Sequence, residues 1–388
     1  MYADFERLRD TAIGEGRIAG AVALTVDRDG VTYESAAGRR SADAPAAMTP
    51  DTVFWIASMT KAIASVAALQ LVERGKLSLD GDLTALLPDL KGLEVFDKPG
   101  PDGIWSTRPA KRAPSLRELL THTSGFSYGF IDGRIPAWQV ATNAADPNSG
   151  SRAAYRQPLL FDPGEGWAYG VGIDWAGMAV EAASGRRLDA YLEEHLFGPL
   201  GMADTGFEPR ADQGARQAGM HARTPEGGLA PIPFAMPANP EVLSGGGGLY
   251  STAADYGRFL RMLLNGGALE GARVLSVEAM AALGQVQTGA RRAGAWTTAA
   301  PHLSRDIDLF PRMQTGWGLA AMISPDAGPN GRSAGSLAWA GLANTYYWAD
   351  PAAGKGGLIL TQVLPFGDPA VLDLLGALER DAYASEGG

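Results

Sequence analysis

The chain has 388 residues, no cysteine and a formal net charge of −10, with 46% apolar and 20% charged residues. That length holds one large domain or two ordinary ones around a substantial core. The missing cysteine excludes disulfides, thiolate catalysis and Cys-ligated zinc. An acidic balance without any Lys/Arg-rich run argues against a nucleic-acid or anionic-membrane surface.

The opening stretch MYADFERLRD alternates charged with apolar residues. It predicts an amphipathic first helix with Phe5 and Leu8 on one side, and lacks the apolar stretch of an export signal. No apolar run approaches the ~20 residues of a membrane span, so a cytoplasmic location is expected. Residues 20–38 read as two strands turning at Asp29-Gly30, a strong hairpin signal, and TVFWIA reads as a further strand. From Ala57 to Val72 the only polar residues are Ser58, Thr60, Lys61, Ser65 and Gln70. A helix apolar on nearly all sides is a buried one, and Gly75 marks its end.

Helical signals dominate from there to residue 210. SLRELLTHTSGF predicts a helix stopped by Gly125; DWAGMAVEAASG and RLDAYLEEHLFGPLG predict two more, each closed by glycine. Residues 210–240 are Pro- and Ala-rich and read as irregular. STAADYGRFLRMLLNGG opens with a Ser/Thr cap and predicts a helix. Strands return in TGWGLAAMI, SLAWAGLA, NTYYWAD and GLILTQVL. The expected class is α+β: an antiparallel sheet built from both chain ends and flanked by helices, with a mainly helical domain inserted. The boundaries read as 1–75 and 240–388 for the sheet domain and 76–239 for the helical one. The site is expected in the cleft between them.

Ser58 and Lys61 carry the chemistry. Three residues apart on a helix they share a face and can touch. A helix start favours a developing oxyanion nearby, and burial lowers a lysine's proton affinity, so Lys61 could take the Ser58 proton. Alone, S-x-x-K reads more often as a helix-capping serine and a lysine reaching for water. Of six lysines, however, only Lys61 has a serine three residues before it, and it opens the most apolar helix of the chain. A charge placed there is costly unless it is used.

With SMTK stand ALQLVERGKLSLDGDL, LRELLTHTSGFSYGF, GWAYG, GPLGM, GGGGLYSTAADYGRFL and WAG. Together they resemble the serine β-lactamase and penicillin-binding protein superfamily, in its class C-like branch and nearest to the family VIII carboxylesterases. S-x-x-K is a known signature of such enzymes. The resemblance implies a β-lactamase-like fold, an acyl-enzyme on Ser58, Lys61 as base, and Tyr169 facing both across the cleft. It also implies a small-molecule ester substrate and no cofactor.

Two departures sharpen the expectation. Class C enzymes usually carry Tyr-x-Asn where this chain has Tyr169-Gly170-Val171, and lactamases carry Lys-Thr-Gly where it has Trp339-Ala340-Gly341. Family VIII esterases typically have Trp-Gly-Gly, so strong β-lactamase activity is not expected. Without that lysine the pocket should prefer neutral acyl groups. Backbone N–H groups of Ser58 and Leu342 are the expected oxyanion hole. Trp339, Gly341, Val171 and Tyr128 are expected to line the substrate, Tyr128 as either wall or proton partner. Residues 97–113 and 285–312 are expected to shape the acyl pocket.

GRSAG at 331–335 matches the G-x-S-x-G elbow, which needs a strand before it and a helix after. Ser333 instead precedes a strand and reads as a turn residue. The four histidines, at 122, 195, 221 and 302, show no metal spacing, and the glycines at 245–248 lack the Lys-Ser/Thr of a phosphate loop. An acyltransferase, a β-lactamase or D-peptidase, and an idle binding module are the rival readings.

Overall fold

A computed structural model describes residues 2–100, 103–145, 149–310 and 313–384. Its centre is a seven-stranded sheet formed by β1 (Gly20–Asp27), β2 (Val31–Gly38), β3 (Gly316–Trp317), β4 (Met322–Ser324), β5 (Ser336–Gly341), β6 (Thr345–Asp350) and β7 (Lys355–Leu360). The order across the sheet is β3-β4-β5-β6-β7-β1-β2, with every neighbouring pair antiparallel. The first hairpin and the last five strands therefore meet along the β1–β7 seam, where Val22 pairs with Leu360.

Strand periodicity sorts the side chains into two layers. Val22, Leu24, Val26, Leu337, Trp339, Tyr347, Leu358 and Leu360 enter the main core. They share it with the helices α2 (Thr60–Glu73), α3 (Gly172–Ser184) and α4 (Ala253–Leu264). The alternate residues Ala21, Ala23, Ala338, Ala340, Tyr346, Trp348 and Ile359 face the terminal helices α1 (Ala3–Gly14) and α5 (Pro369–Ala384). Both faces of the sheet are covered, which is why its strands carry so little polar alternation. This is the expected α+β arrangement of the β-lactamase fold.

Several local expectations change. The helix of SLRELLTHTSGF spans only Leu116–Leu120. It stops at His122, which takes the left-handed conformation (φ 60°) while Thr123 N–H returns to the Glu118 carbonyl at 3.0 Å. That bond closes the helix end before Gly125 is reached. TGWGLAAMI is a hairpin rather than one strand, with Gly318 N–H bonded to the Ala321 carbonyl at 2.9 Å. TVFWIA contributes only Phe54–Trp55, paired to Tyr250–Ser251.

Glu94–Pro99 and Trp105–Pro109, in a stretch partly read as loop, pair as antiparallel strands. A helix spans Arg134–Thr142. Within the stretch read as irregular, His221–Arg223 pairs with Leu229–Pro231 and with Val363–Leu364. Residues 101, 102, 311 and 312, in the two segments expected to shape the pocket, lie outside the described residues. Among the described residues no helix is long and apolar enough to cross a membrane, and no His/Cys/Asp/Glu cluster could hold a metal ion.

Candidate active site

The chain enters α2 through a single turn of 3-10 helix, Ala57–Met59. Ala57 sits at φ 45°, a conformation rarely taken by a residue with a Cβ. This turn leaves Ser58 half-buried at the mouth of α2, with Lys61 one turn further in and 0% exposed. Lys61 Nζ donates to Ser58 Oγ at 3.1 Å, to the Tyr128 hydroxyl at 2.8 Å and to the Gly246 carbonyl at 2.6 Å. It also lies 4.7 Å from the Tyr169 ring centre. Burial pushes the Lys61 amine down to about 7, although Asp174 pulls the other way. A buried ammonium loses its hydration, so the neutral amine is populated near neutrality.

Tyr169 comes from the loop before α3 and is buried. Three contacts hold its backbone: Ala168 N–H to the His122 carbonyl at 2.9 Å, Ser127 Oγ to the Tyr169 carbonyl at 3.1 Å, and Gly170 N–H to His122 Nδ1 at 3.3 Å. The Tyr169 hydroxyl accepts the Trp339 indole N–H at 2.9 Å. Burial raises its proton affinity; the adjacent Ser58 hydroxyl and the Trp339 N–H lower it. The phenol therefore keeps its proton at neutral pH. Burial likewise raises Tyr128 well above the ordinary range. It keeps His122 well below its own.

Trp339 lies on β5, packed edge-on against Trp317 at 4.4 Å between ring centres. Trp296 stacks on Tyr169 at 5.5 Å, so the 285–312 segment does reach the site. Gly341 ends β5 where the strand runs against the backbone leading to Ser58. A Cβ there would collide with the Ile56 carbonyl oxygen and Thr345 Oγ1. Thr345 Oγ1 donates to that same carbonyl at 3.3 Å. Leu342 follows directly and belongs to the apolar group around Ala57, Trp55 and Tyr250. Beside that group lies a cavity of about 210 Å³, lined by Trp55, Met220, Ile232, Phe234, Tyr250 and Gln362 among others. Its wall combines residues 217–234 with Val53, Trp55, Tyr250 and Gln362.

The structure thus brings Ser58, Lys61, Tyr128, Tyr169 and Trp339 together, with Gly341 and Leu342 at the rim. Val171, half-buried before α3, accepts the Asp174 N–H at 3.1 Å and packs on the main core. Ser333 is elsewhere, in a turn before β5 with its N–H on Asp350 Oδ2 at 2.7 Å. Two participants escaped the sequence reading. The Gly246 carbonyl holds Lys61, and Asp174, inside GIDWAG, holds the Gly246 loop. A carboxylate in the first turn of a mainly apolar helix was the available signal.

The chain belongs to the Beta-lactamase family, whose model matches residues 5–381. Lovastatin esterase of Penicillium rubens is 33% identical over 96% of this chain and 96% of its own. Monacolin J acid methylbutanoyltransferase of Aspergillus terreus is 31% identical over 96% and 93% respectively. A solved structure of an Aspergillus terreus simvastatin synthase mutant superposes with a TM-score of 0.85, at 31% identity over 99% of this chain and 96% of that one. Its relatives are esterases and acyltransferases on a serine β-lactamase fold.

Proposed function

We propose that the protein is a serine carboxylesterase that hydrolyses small neutral acyl esters through an acyl-enzyme on Ser58. The observation that carries this is Ser58 Oγ, 3.1 Å from a buried Lys61 amine held near pH 7. Lys61, neutral in the free enzyme, takes the Ser58 proton as Oγ bonds to the ester carbonyl carbon. The N–H groups of Ser58 and Leu342 receive the oxyanion. As the ester C–O bond breaks, Tyr169 gives its proton to the leaving alkoxide and regains one from Lys61. Water repeats the sequence on the acyl-enzyme and releases the acid. Metal and cofactor have no part in these steps.

The substrate range follows from what lines the site. Trp339 stands where a lactamase has a cation, and the cavity beside Trp55 is walled by aromatic, aliphatic and neutral polar groups. A carboxylate substrate would find no partner there, so β-lactam hydrolysis is expected to be weak at most. The partner is a small-molecule ester rather than nucleic acid or membrane. Treatment with an active-site-directed phosphonate followed by intact mass and peptide mapping tests the assignment. An adduct on Ser58 supports it; an inert protein or an adduct elsewhere removes it.

Acyl transfer to an alcohol is the second reading, favoured by the transferase relative and by the aromatic enclosure of Lys61. Partition of product between water and added alcohol decides between the two.

A further inference from the structure

Asp174 sits in the first turn of α3 with 1% exposure, and the reaction above gives it no task. Its Oδ1 accepts Ser244 Oγ–H at 2.6 Å and the Gly246 N–H at 3.0 Å. The carbonyl of the same Gly246 accepts Lys61 Nζ at 2.6 Å. Residue 246 must be glycine for this, because a Cβ would collide with the Asp174 carboxylate. The carboxylate and the amine thus grip one residue from opposite sides. Isolated buried carboxylates are costly, and those that persist are paired.

We infer that Asp174 is a positioning residue that serves as the buried counter-charge of Lys61, coupled to it through Gly246. This rests on Lys61 acting as the base. When Lys61 takes the Ser58 proton it becomes an ammonium where water cannot reach it. A nearby anion offsets that cost, while the Gly246 carbonyl fixes the direction of the amine.

The other titratable groups cannot supply the charge. Lys61 faces Ser58, Tyr128, Tyr169, His122 and Asp174. The Asp174 charge acts on Lys61, Tyr128, Tyr155 and Tyr169. Burial holds the three phenols protonated and the imidazole neutral. Burial also raises Asp174 itself, opposed first by Lys61 and then by its two donors. Carboxylate and ammonium therefore favour each other's charged form.

Asp174→Asn tests this, because the amide oxygen can still accept from Ser244 and Gly246 while the charge is lost. With a short-chain aryl ester, the acid limb of kcat/KM should move to lower pH by about one pH unit, since a lone lysine holds its proton less well. The plateau kcat should fall about tenfold or more, with KM within about twofold. Ser244→Ala, which strips one donor and so favours the neutral carboxyl, should move the limb the same way by less. It also keeps the test open should Asp174→Asn fail to fold. An unmoved acid limb in the folded variant overturns the proposal, as does a fall in kcat that merely tracks lost thermal stability. Phosphonate labelling of Ser58 in the unaltered protein is read separately. Absence of that adduct defeats the esterase assignment, whereas an adduct with an unmoved limb defeats only the role of Asp174.

Discussion

Trp339 donates its indole N–H to the Tyr169 hydroxyl at 2.9 Å, across a sequence separation of 170 residues. That bond occupies a lone pair of the phenol oxygen and leaves its proton free to point toward Ser58. Tyr169→Phe should lower kcat by about 100- to 1,000-fold, the usual worth of a positioned acid–base group. Trp339→Phe keeps the ring but removes the donor, and should cost about tenfold, one hydrogen bond's worth. Steady-state kinetics on an aryl ester and on an alkyl ester compare the two. The loss should be larger for the alkyl ester, whose leaving alkoxide needs the proton more. Full activity of the phenylalanine variant at residue 169 would falsify the proton-donor role.

Ser58→Ala should lower turnover by at least about a thousandfold, because nucleophile and base act as one unit. Ser333→Ala should stay within about twofold, since a half-buried turn serine away from the site carries little. The same ester assay and melting curves on both proteins check this pair. Activity lost in the second and kept in the first would reverse the assignment.

The pH dependence has a definite sign. Activity needs neutral Lys61, whose proton comes off near pH 7. The kcat/KM profile should therefore rise through neutrality and fall away below it. Tyr169 stays protonated throughout that range because burial raises it. A rate flat across the acid side would mean that another group takes the proton.

The same burial makes Lys61 a cost to stability. Its folded value of about 7 lies below the 10.5 of a free lysine. Between those limits the unfolded chain binds more protons, so the lysine's penalty is full below pH 7 and fades as the pH approaches 10.5. Lys61→Met should thus raise the unfolding midpoint at neutral pH while abolishing activity. The gain is on the order of a few kcal/mol before subtracting the Gly246 carbonyl left unpaired and the buried Asp174 carboxylate left without its cation. Thermal melts of both proteins at neutral and at alkaline pH should converge at the alkaline end.

Gly341→Ala places a methyl where β5 touches the Ile56 carbonyl and Thr345. Backbone, not a flexible tip, must yield, so destabilisation of about 1–3 kcal/mol is expected. A shift of β5 away from Ser58 would also separate the expected oxyanion donors. Denaturant melts and kcat, measured together, should both fall.

Local rules made much of this legible. Asp29-Gly30 turns the first hairpin, and Ser58 and Lys61 meet because three residues of helix bring side chains into line. What stayed hidden depends on neighbours distant in sequence. Gly246 accepts from Lys61 across 185 residues, and Asp174 bonds Gly246 across 72, so neither contact leaves a local pattern. The end of the Leu116–Leu120 helix was misplaced because His122, not a glycine, takes the left-handed turn.

The β1–β7 seam has a temporal consequence for biosynthesis. Val22 leaves the ribosome long before its partner Leu360, so the first hairpin waits beside a missing neighbour until β7 is made. Closing so long a span is entropically slow. Ser58 emerges long before Trp339, and with it an ordered Tyr169 hydroxyl, can reach it. Hydrolytic competence should therefore switch on only after β5 has been made, and a nascent fragment that stops short of β5 should be inert.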